Sequence, residues 1–327
     1  MTFLALMLTQ SDRQTVADIV PLADAALPPG EVIVRVAFSS LNFKDALAVT
    51  GRGAIVRQWP MVPGIDLAGV VERSDDPAWQ PGDQVVVNGW GMGETHWGGL
   101  AQRASVSASW LQRLPQAYTL PQAMAIGTAG YTAALCVMAL LRHGLKAGAP
   151  VLVTGASGGV GSVAVALLSA LGMDVTAATG RPQVVMAFQG AGKVQCMDRA
   201  ALASPGKALQ SERWAGVVDT VGSHTLANAC AATRWNGAIA ACGLTQGADL
   251  SGSVMPFILR GVTLYGINSV FVPQAVREEA WALLARHIDG EALARMSHTI
   301  GLSDVIRVAP ELLEGRLKGR AIVDVNQ

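Results

Sequence analysis

The sequence predicts an α/β protein made of a β-rich domain and a domain with a doubly wound parallel sheet. Two observations predict this fold. Short apolar strands bounded by Pro and Gly turns fill residues 1–121, which is typical of a small barrel or sandwich. From residue 122 onward, strands alternate with helices, and such alternation requires right-handed crossovers and a parallel sheet. The strands of this second part are fully apolar, as a sheet covered on both faces requires.

The β-rich part begins with an apolar strand over residues 1–10. Strands at Val32–Val36 and Val85–Val87 each follow a turn rich in Pro and Gly, and Val70–Val71 follows the break at Gly69. Short strands with such boundaries are what a compact β domain needs.

The second part reads as one long helix followed by alternating elements. These are helix Pro121–Arg142, strand Val151–Thr154, helix Val160–Leu171, strand Val175–Ala178, helix Gln183–Gln189, strand Lys193–Met197, strand Gly216–Thr220, helix Leu226–Ala232, strand Ala238–Cys242, strand Val262–Ile267, helix Val276–Ile288, and a helix and strand within Val305–Val325.

The last part of the chain, 257–327, has no second glycine-rich signature. We therefore expect it to return to the first domain. The predicted domains are a discontinuous β-rich domain, 1–121 plus 257–327, and a parallel-sheet domain, 122–256.

The composition is that of a globular protein with a large core. Hydrophobic residues make up 51% and charged residues 15% of the 327 residues, and 24 basic residues balance 24 acidic ones. A disordered chain would need low hydrophobicity and high net charge, so disorder is excluded. Because there is no basic excess to neutralise phosphates, we expect no nucleic-acid partner.

Two uncharged stretches, Leu114–Leu141 and Ala147–Met173, are long enough to span a membrane. Prolines interrupt the first and glycines the second, so we interpret both as buried elements of the α/β core. The first residues lack the basic segment of a signal peptide. The four cysteines are not at metal-ligand spacing and suit reduced core thiols. We therefore expect a cytoplasmic protein with no membrane partner.

The strongest motif is a strand, a glycine-rich turn and a helix over Val151–Gly161. The spacing Ala156-x-Gly158-x-x-Gly161 lets backbone N–H groups approach a pyrophosphate at the positive end of a helix. The usual dinucleotide fingerprint has glycine in place of Ala156, but the strand before and the helix after give the right context. The alternative is a glycine-rich turn with no ligand. The residues expected at the pyrophosphate are Ala156, Ser157, Gly158, Gly159, Val160 and Gly161.

The end of the second strand of this motif indicates NADP(H). An NAD site has an acidic residue there, which binds the ribose 2′-hydroxyl, whereas this chain has Thr179, Gly180 and Arg181. A guanidinium suits a 2′-phosphate because it donates bidentate, charge-assisted hydrogen bonds. Arg199 follows the next short strand and is a second candidate near the adenosine. The alternative is that Arg181 is a solvated arginine at a helix start.

Together these motifs resemble the medium-chain dehydrogenase/reductase superfamily over nearly the whole chain. Four more segments resemble its zinc-free quinone-oxidoreductase-like branch and, within it, the acryloyl-CoA reductase subfamily: Ser39–Leu47, Met61–Gly69, Gly89–Gly99 and Val254–Arg260. The resemblance implies a GroES-like β-rich domain, a Rossmann domain and a homodimer. It also implies NADPH-dependent reduction of acryloyl-CoA, or a similar short enoyl thioester, to propanoyl-CoA.

The residues argue against a metal site. Zinc alcohol dehydrogenases of the superfamily use a Cys and a His–Glu pair in the first domain, and this chain has Asn42 and Ile65–Asp66 at those places. Catalytic zinc needs three protein ligands and an open position, and His96 is the only histidine nearby in the sequence. We therefore predict no metal.

Without a metal, donors must stabilise the charge that develops on the thioester oxygen when hydride reaches the β carbon. The resemblance puts Asn42 near the nicotinamide. Our hypothesis makes Asn42 the orienting donor, Lys44 the charge stabiliser and Asp45 its partner. The alternative is that Asn42 and Asp45 cap the helix that begins near Lys44. Related enoyl-thioester reductases have a proton-donating tyrosine a few residues later, whereas this chain has Gly51–Gly53, so the proton donor stays open and water is a candidate.

Other cofactor contacts follow from position in the resemblance. Thr128 is expected to approach the nicotinamide, although it also suits a helix cap. The remaining expected cofactor residues are Phe43, Cys242, Gly243, Leu244, Asn268, Ser269 and Arg320, with Arg316 as the alternative to Arg320 at the phosphates.

The substrate is expected to meet aromatic and basic side chains. Trp90 and Trp97 lie in a loop too rich in glycine to be regular, which is typical of loops that line a site; the alternative is that they are core aromatics. Arg52, Arg57 and Trp59 suit the phosphates and adenine of coenzyme A; the alternative is a solvated loop.

Two other functions stay open. One is an NADPH-dependent quinone or alkene reductase of the same superfamily. The other is a non-catalytic NADPH-binding protein, since crystallin-like members use this scaffold without chemistry. The Gly89–Gly99 loop and Lys44 favour catalysis, because a non-catalytic scaffold does not need reactive side chains facing the nicotinamide.

Overall fold

The computed structural model describes residues 2–185 and 191–327. Its strands are β1 (Thr2–Ser11), β2 (Gln14–Ala23), β3 (Val32–Leu41), β4 (Asp66–Ser74), β5 (Gln84–Asn88), β6 (Arg103–Val106), β7 (Gln112–Arg113), β8 (Pro150–Val153), β9 (Asp174–Thr179), β10 (Val194–Asp198), β11 (Trp214–Asp219), β12 (Thr233–Ala241), β13 (Thr263–Gly266), β14 (Ser297–Gly301) and β15 (Arg320–Asp324). Its helices are α1 (Phe43–Thr50), α2 (Leu120–His143), α3 (Gly159–Ala170), α4 (Pro182–Val185), α5 (Ser223–Ala232), α6 (Met255–Arg260), α7 (Gln274–His287), α8 (Gly290–Met296) and α9 (Val305–Leu313).

Most elements lie within a few residues of their sequence-predicted positions, which is the usual uncertainty at element ends. The helix expected at Gln183–Gln189 is described as far as Val185. The rest of that predicted helix, 186–189, lies outside the described residues.

The chain forms two compact units. The first comprises Met1–Thr128, Ser269–Glu279 and Asp289–Gln327, and the second comprises Ala129–Asn268 and Ala280–Ile288.

The second unit extends past residue 256, the predicted end of the parallel-sheet domain. Strand β13 pairs with β12, with Ile239 opposite Leu264. The last strand of the sheet therefore lies beyond the expected boundary.

The first unit holds an antiparallel sheet and a separate hairpin. Strands β1 and β2 form the hairpin, and the larger sheet has the order β14-β15-β3-β4-β5-β7, with β6 also paired to β3. Valines fill its core because β-branched side chains pack well on a pleated surface; Val34, Val85 and Val87 are all fully buried. This unit corresponds to the predicted β-rich domain.

The second unit holds a six-stranded parallel sheet with the order β10-β9-β8-β11-β12-β13. Numbered from β8, this order is 3-2-1-4-5-6, which is that of a Rossmann fold. The order reverses between β8 and β11, and ligands of such sheets bind at the carboxyl ends of the strands beside that switch. The predicted α/β fold class is confirmed.

Helix α2 is not the single regular helix that the sequence predicted. Gly127 interrupts it with φ 50° and ψ −162°. A Cβ atom there would lie 2.6 Å from Arg320 Nη2 and 2.7 Å from Asp66 Oδ2. Glycine is required because the position needs both a positive φ and the absence of a side chain.

Helix α2 also has the length and hydropathy of a membrane span. However, 83% of its most apolar window is buried inside the protein. This agrees with the interpretation of this stretch as a buried core element.

Candidate functional site

A buried carboxylate organises the polar residues of the first unit. Asp66 begins β4 and is completely buried. Its Oδ1 accepts hydrogen bonds from Asn88 Nδ2 (2.6 Å) and Thr128 Oγ1 (2.6 Å). Its Oδ2 accepts from Ser40 Oγ (2.6 Å), Asn42 Nδ2 (2.8 Å) and the Thr128 amide (2.8 Å). These donors occupy both oxygens of the buried carboxylate, so its polar groups are satisfied inside the protein.

Arg320 is the cation of the same group. It begins β15, is only 5% exposed, and donates to Asn42 Oδ1 (3.0 Å) and Ser40 Oγ (3.1 Å). Burial lowers the pKa of Arg320, whereas the nearby carboxylates of Asp66 and Asp45 raise it. We call this group the Asp66 cluster; its members are Ser40, Asn42, Asp66, Asn88, Thr128 and Arg320.

The expectation that Arg320 reaches the cofactor phosphates is therefore wrong. Its Nε also donates to the Ala125 carbonyl at 3.2 Å, so each guanidinium nitrogen has a partner inside the first unit. The alternative residue, Arg316, is an exposed side chain that pairs with Glu314.

Asn42 has a different role from the orienting donor that we expected. Its amide nitrogen donates to Asp66 and, at 3.1 Å, to Ser40 Oγ, while its oxygen accepts from Arg320. These partners fix the orientation of the amide. Both hydrogens of the side chain are used inside the protein, so Asn42 positions its neighbours.

Lys44 and Asp45 are not partners, contrary to our hypothesis. Lys44 Nζ lies 2.8 Å from Glu94 Oε1 and is partly exposed. The Asp45 carboxylate is buried and accepts hydrogen bonds from the backbone N–H groups of Asn42 and Ile65, both at 2.9 Å. Asp45 thus caps α1, as the alternative interpretation held.

Burial also changes the acidity of Asp45. Desolvation raises the pKa of this carboxyl from 3.8 to about 7, and the charge of Asp66 adds to the effect. The two backbone hydrogen bonds oppose it. Desolvation dominates because a buried carboxylate loses its hydration.

In the second unit, the glycine-rich loop has the geometry that the motif predicts. It joins β8 to α3, and Gly158 is the N-cap of that helix. Gly155 has φ +56°, and a Cβ on Gly161 would lie 2.3 Å from the Gly155 carbonyl oxygen. The helix therefore starts directly against the turn, with its first N–H groups available to a pyrophosphate.

Asp219 holds the base of this loop, and sequence reasoning missed it. Its carboxylate accepts from Thr154 Oγ1 (2.7 Å) and from the Gly222 amide (2.8 Å). Burial raises the pKa of Asp219, and these hydrogen bonds oppose the rise. The carboxylate joins the ends of β8 and β11, the two strands at the switch of the sheet.

Two arginines lie at the end of β9, as expected for a 2′-phosphate site. Arg181 Nε donates to Ser157 Oγ at 3.3 Å, and its amide donates to Thr179 Oγ1 at 2.9 Å. A Cβ atom on Gly180 would lie 3.5 Å from Arg199 Nε, so the second guanidinium borders the same turn. Strand β9 ends at Thr179, and its acidic residue, Asp174, lies at the opposite end of the strand. Asp198 of β10 is paired opposite Thr179.

The remaining expected cofactor residues range from half-buried to exposed. Phe43 (43%) and Leu244 (64%) are exposed, and Asn268 is exposed as well. Cys242 is half-buried, and its Sγ lies 3.5 Å from the Asp219 carbonyl oxygen. Gly243 passes close to the backbone of Thr220. Ser269 is half-buried.

The residues expected at the substrate all belong to the first unit. Arg52, Arg57 and Trp59 are exposed, and Arg52 lies 3.8 Å from Glu314. Trp90 and Trp97 are half-buried. They are neither fully buried core residues nor free surface rings.

Sequence reasoning missed most of the polar network. Ser40, Asp66, Asn88, Glu94 and Asp219 were not assigned, although Asp66 occupies the place of the glutamate in the zinc enzymes. The match of Asp66 to that glutamate was the feature of the sequence that could have identified it as a site residue. Within residues 2–185 and 191–327, no three His, Cys, Asp or Glu side chains converge as a metal site.

Comparison with known proteins identifies the class. Residues 28–116 match the alcohol dehydrogenase GroES-like domain, and residues 159–286 match the zinc-binding dehydrogenase domain. The two domains in this order, with a Rossmann sheet in the second, define a medium-chain dehydrogenase/reductase.

Individual relatives narrow the family. The acrylyl-CoA reductase of Ruegeria pomeroyi is 47% identical over 97% of this chain and 97% of its own length. A Bacillus subtilis protein named putative quinone oxidoreductase is 39% identical over 91% of each chain. The crystal structure of a Salmonella enterica oxidoreductase in complex with NADP has a TM-score of 0.95, 45% identity, and coverage of 99% of this chain and 100% of that chain. The chain belongs to the acrylyl-CoA reductase subfamily of the quinone-oxidoreductase-like branch.

Proposed function

We propose that this protein uses NADPH to reduce the carbon–carbon double bond of acryloyl-CoA, or a similar short enoyl thioester, to give propanoyl-CoA. The observation that carries the proposal is the turn after β9. Arg199 borders this turn, and Arg181 reaches from it to Ser157 in the glycine-rich loop that suits a pyrophosphate. The substrate class comes from the Ruegeria relative, whose name states that reaction.

The loop and the arginines suit NADP(H), which supplies a hydride when bound. We assign the pyrophosphate to the N–H groups from Ala156 to Gly161 and the 2′-phosphate to Arg181, with Arg199 as its neighbour. Two guanidinium groups favour NADPH over NADH because they bind its charged 2′-phosphate, whereas the 2′-hydroxyl of NADH has no charge for them to pair with.

The Asp66 cluster prepares the reacting end of the site. Hydride addition at the β carbon puts negative charge on the thioester oxygen, and preorganised groups stabilise it best. Lys44 is the cation that we assign to this charge, held in place by Glu94. We assign Thr128 to the nicotinamide, because Asp66 fixes both its amide and its hydroxyl.

The proton on the α carbon comes from water in this proposal. The segment after α1, where related reductases have a tyrosine, contains Gly51 and Gly53 and no hydroxyl side chain. Asp45 is buried and bound to two backbone N–H groups, so it has no direct route to a substrate carbon.

The acryloyl group is too small to supply much binding energy. The protein must therefore hold the thioester mainly by its coenzyme A part. Arg52 and Arg57 are exposed cations, and Trp59 is an exposed ring. Phosphates and adenine suit these side chains through charge and stacking. We assign them to the nucleotide end of the thioester.

We also propose a cytoplasmic homodimer. Ile258 and Leu259 of α6 are exposed, as is Val254 at its N-cap, and β13 lies at the edge of the parallel sheet. An exposed apolar face beside an unpaired strand edge suits association with an identical copy. Light scattering should give the mass of two chains for the wild type and of one chain for Ile258→Glu; a wild-type monomer contradicts the dimer.

The second candidate function is a quinone reductase, favoured by the name of the Bacillus relative. Oxidation of NADPH is measured with acryloyl-CoA and with a simple quinone. We expect a kcat/KM for acryloyl-CoA at least tenfold above that for the quinone. Reduction of the quinone alone supports the second candidate, and NADPH binding without turnover of either substrate supports a non-catalytic protein.

A further inference from the structure

Trp90 has a strained backbone, and its ring contacts two planar groups. Its φ is +56°, in the left-handed region that non-glycine residues rarely adopt. Its ring stacks on Trp110, with centroids 6.3 Å apart and planes 3° from parallel. On the indole lies Arg277, whose guanidinium carbon is 4.2 Å from the ring centroid. Such a residue keeps its conformation only where its surroundings enforce it.

Arg277 is the residue that connects these surroundings. It lies in α7 and is 3% exposed. Its Nε donates to the Val272 carbonyl (3.0 Å), Nη1 to the Asn88 carbonyl (2.7 Å) and Nη2 to the Val270 carbonyl (2.7 Å). One side chain thus joins the segment before Trp90 to the segment 269–272.

The backbone contacts between these two segments are also close. The Trp90 amide donates to the Val270 carbonyl at 3.2 Å. A Cβ atom on Gly89 would lie 3.0 Å from Val270 Cα. Phe271 meets the edge of the Trp90 ring at 6.4 Å and is 69% exposed. Trp90 and Phe271, which we call the aromatic pair, therefore reach the surface, and the buried guanidinium of Arg277 lies against the Trp90 ring.

The aromatic pair is connected to the Asp66 cluster. The Asn88 side chain donates to Asp66, and the Asn88 carbonyl accepts from Arg277. Trp90 follows Asn88 by two residues, so the cluster and the aromatic pair share one rigid support. An apolar surface at this point suits the acyl group of a thioester.

We propose that Arg277 is a positioning residue that limits the length of the acyl chain by holding Trp90 and Phe271 as a rigid wall. The inference rests on the proposed function, since it assumes an enoyl thioester as substrate. A longer chain needs the indole to move. Arg277 opposes that movement by the stacking contact and by its hydrogen bonds to backbone carbonyls, which include that of Ser269 at 3.5 Å. A pocket discriminates one methylene by about 10- to 200-fold when its walls are rigid.

The test compares acyl-chain selectivity in Arg277→Lys and the wild type. Values of kcat/KM are measured with acryloyl-CoA, crotonyl-CoA and 2-hexenoyl-CoA, together with the Kd of NADPH. We expect the ratio of acryloyl-CoA to 2-hexenoyl-CoA to fall at least tenfold in Arg277→Lys, with an unchanged NADPH Kd. The matched control is Arg260→Lys, a half-buried arginine that donates to the carbonyls of Ala231, Thr233 and Gln210 in the second unit; its ratio should stay at the wild-type value.

Phe271→Ala and Trp90→Leu keep the inference testable if Arg277→Lys does not fold. Both should lower the same ratio, and Phe271 is exposed, so its truncation removes little core packing. An unchanged ratio in active variants overturns the inference and leaves the proposed function intact. A wild-type protein that reduces none of the three thioesters overturns the proposed function, and the inference with it.

Discussion

Both carboxylate oxygens of Asp66 accept hydrogen bonds from Thr128, one from its amide at 2.8 Å and the other from its hydroxyl at 2.6 Å. Thr128 directly follows Gly127, where α2 is interrupted. The break in the helix turns this amide toward the buried carboxylate, which no continuous helix would do. The interruption of α2 and the charge of Asp66 therefore belong to one structural feature, which fixes the residue that we assign to the nicotinamide.

Asp66 and Arg320 should be energetically coupled. Asp66→Asn removes the larger of the two carboxylate interactions with the buried cation of Arg320, and the loss of such a partner costs about 3–5 kcal/mol of unfolding free energy. The double variant Asp66→Asn/Arg320→Gln should lose at least about 1 kcal/mol less than the sum of the single variants. Urea unfolding of the four proteins measures this coupling.

The control for this cycle is Glu94→Gln. Glu94 pairs with the partly exposed Lys44, so its loss should cost less than about 1 kcal/mol. Strict additivity of the Asp66 and Arg320 variants would contradict a shared network.

Arg181 should set the preference for NADPH over NADH. Its guanidinium lies at Ser157 in the glycine-rich loop, where we place the 2′-phosphate. Arg181→Glu should raise the KM for NADPH about 10- to 100-fold, because a charge-assisted contact contributes about 1.5–3 kcal/mol. The KM for NADH should change far less. Steady-state kinetics with both cofactors measures this, with the exposed Arg234→Glu as control; an unchanged preference would refute the assignment.

Asp45 should make the protein less stable as the pH rises. Burial raises the pKa of its carboxyl from 3.8 to about 7, so the native state binds more protons than the unfolded state between these values. Stability therefore falls as the pH increases through this window and levels off above it. Between pH 5 and pH 8 the decrease due to Asp45 should be about 2.5 kcal/mol.

The measurement is urea unfolding of the wild type and Asp45→Asn at pH 5, 6, 7 and 8. The variant cannot titrate at this position. The free energy of unfolding of the wild type minus that of Asp45→Asn should therefore fall as the pH rises. A difference that is constant over this range would show that Asp45 does not change its protonation there.

The exposed arginines after α1 should serve the coenzyme A part of the substrate. Arg52→Ala and Arg57→Ala should raise the KM for acryloyl-CoA and leave a small quinone or alkene substrate unaffected. The loss should shrink as salt is added, because exposed charges are screened over a Debye length of about 8–10 Å. Kinetics at several salt concentrations tests this; an equal loss on both kinds of substrate would assign the arginines to the fold or to NADPH.

Local patterns in the sequence predicted much of the fold and little of the polar network. Strand–helix alternation and the glycine spacing after β8 are local, and both predicted the Rossmann sheet and its loop. Arg320 and its partner Asn42 are 278 positions apart, and Lys44 and Glu94 are 50 apart. Only the folded chain brings such pairs together, so Lys44 was given the wrong partner.

The same reason explains the two errors of position. Gly127 reads as one small residue in an apolar helix, and its need for a positive φ arises from Asp66 and Arg320 beside it. Arg320 reads as a basic residue before a strand, and its burial follows from the pairing of β15 with β3. Local propensity contains neither fact, since tertiary contacts decide both.

The most direct test of the account follows two hydrogen atoms into the product. The protein is incubated with acryloyl-CoA and NADPH that carries deuterium at the transferred position, and then with ordinary NADPH in deuterated water; mass spectrometry and NMR locate the label. The account predicts one deuterium at the β carbon of propanoyl-CoA in the first reaction and one at the α carbon in the second. Absence of propanoyl-CoA, or cofactor deuterium at the α carbon, would contradict it.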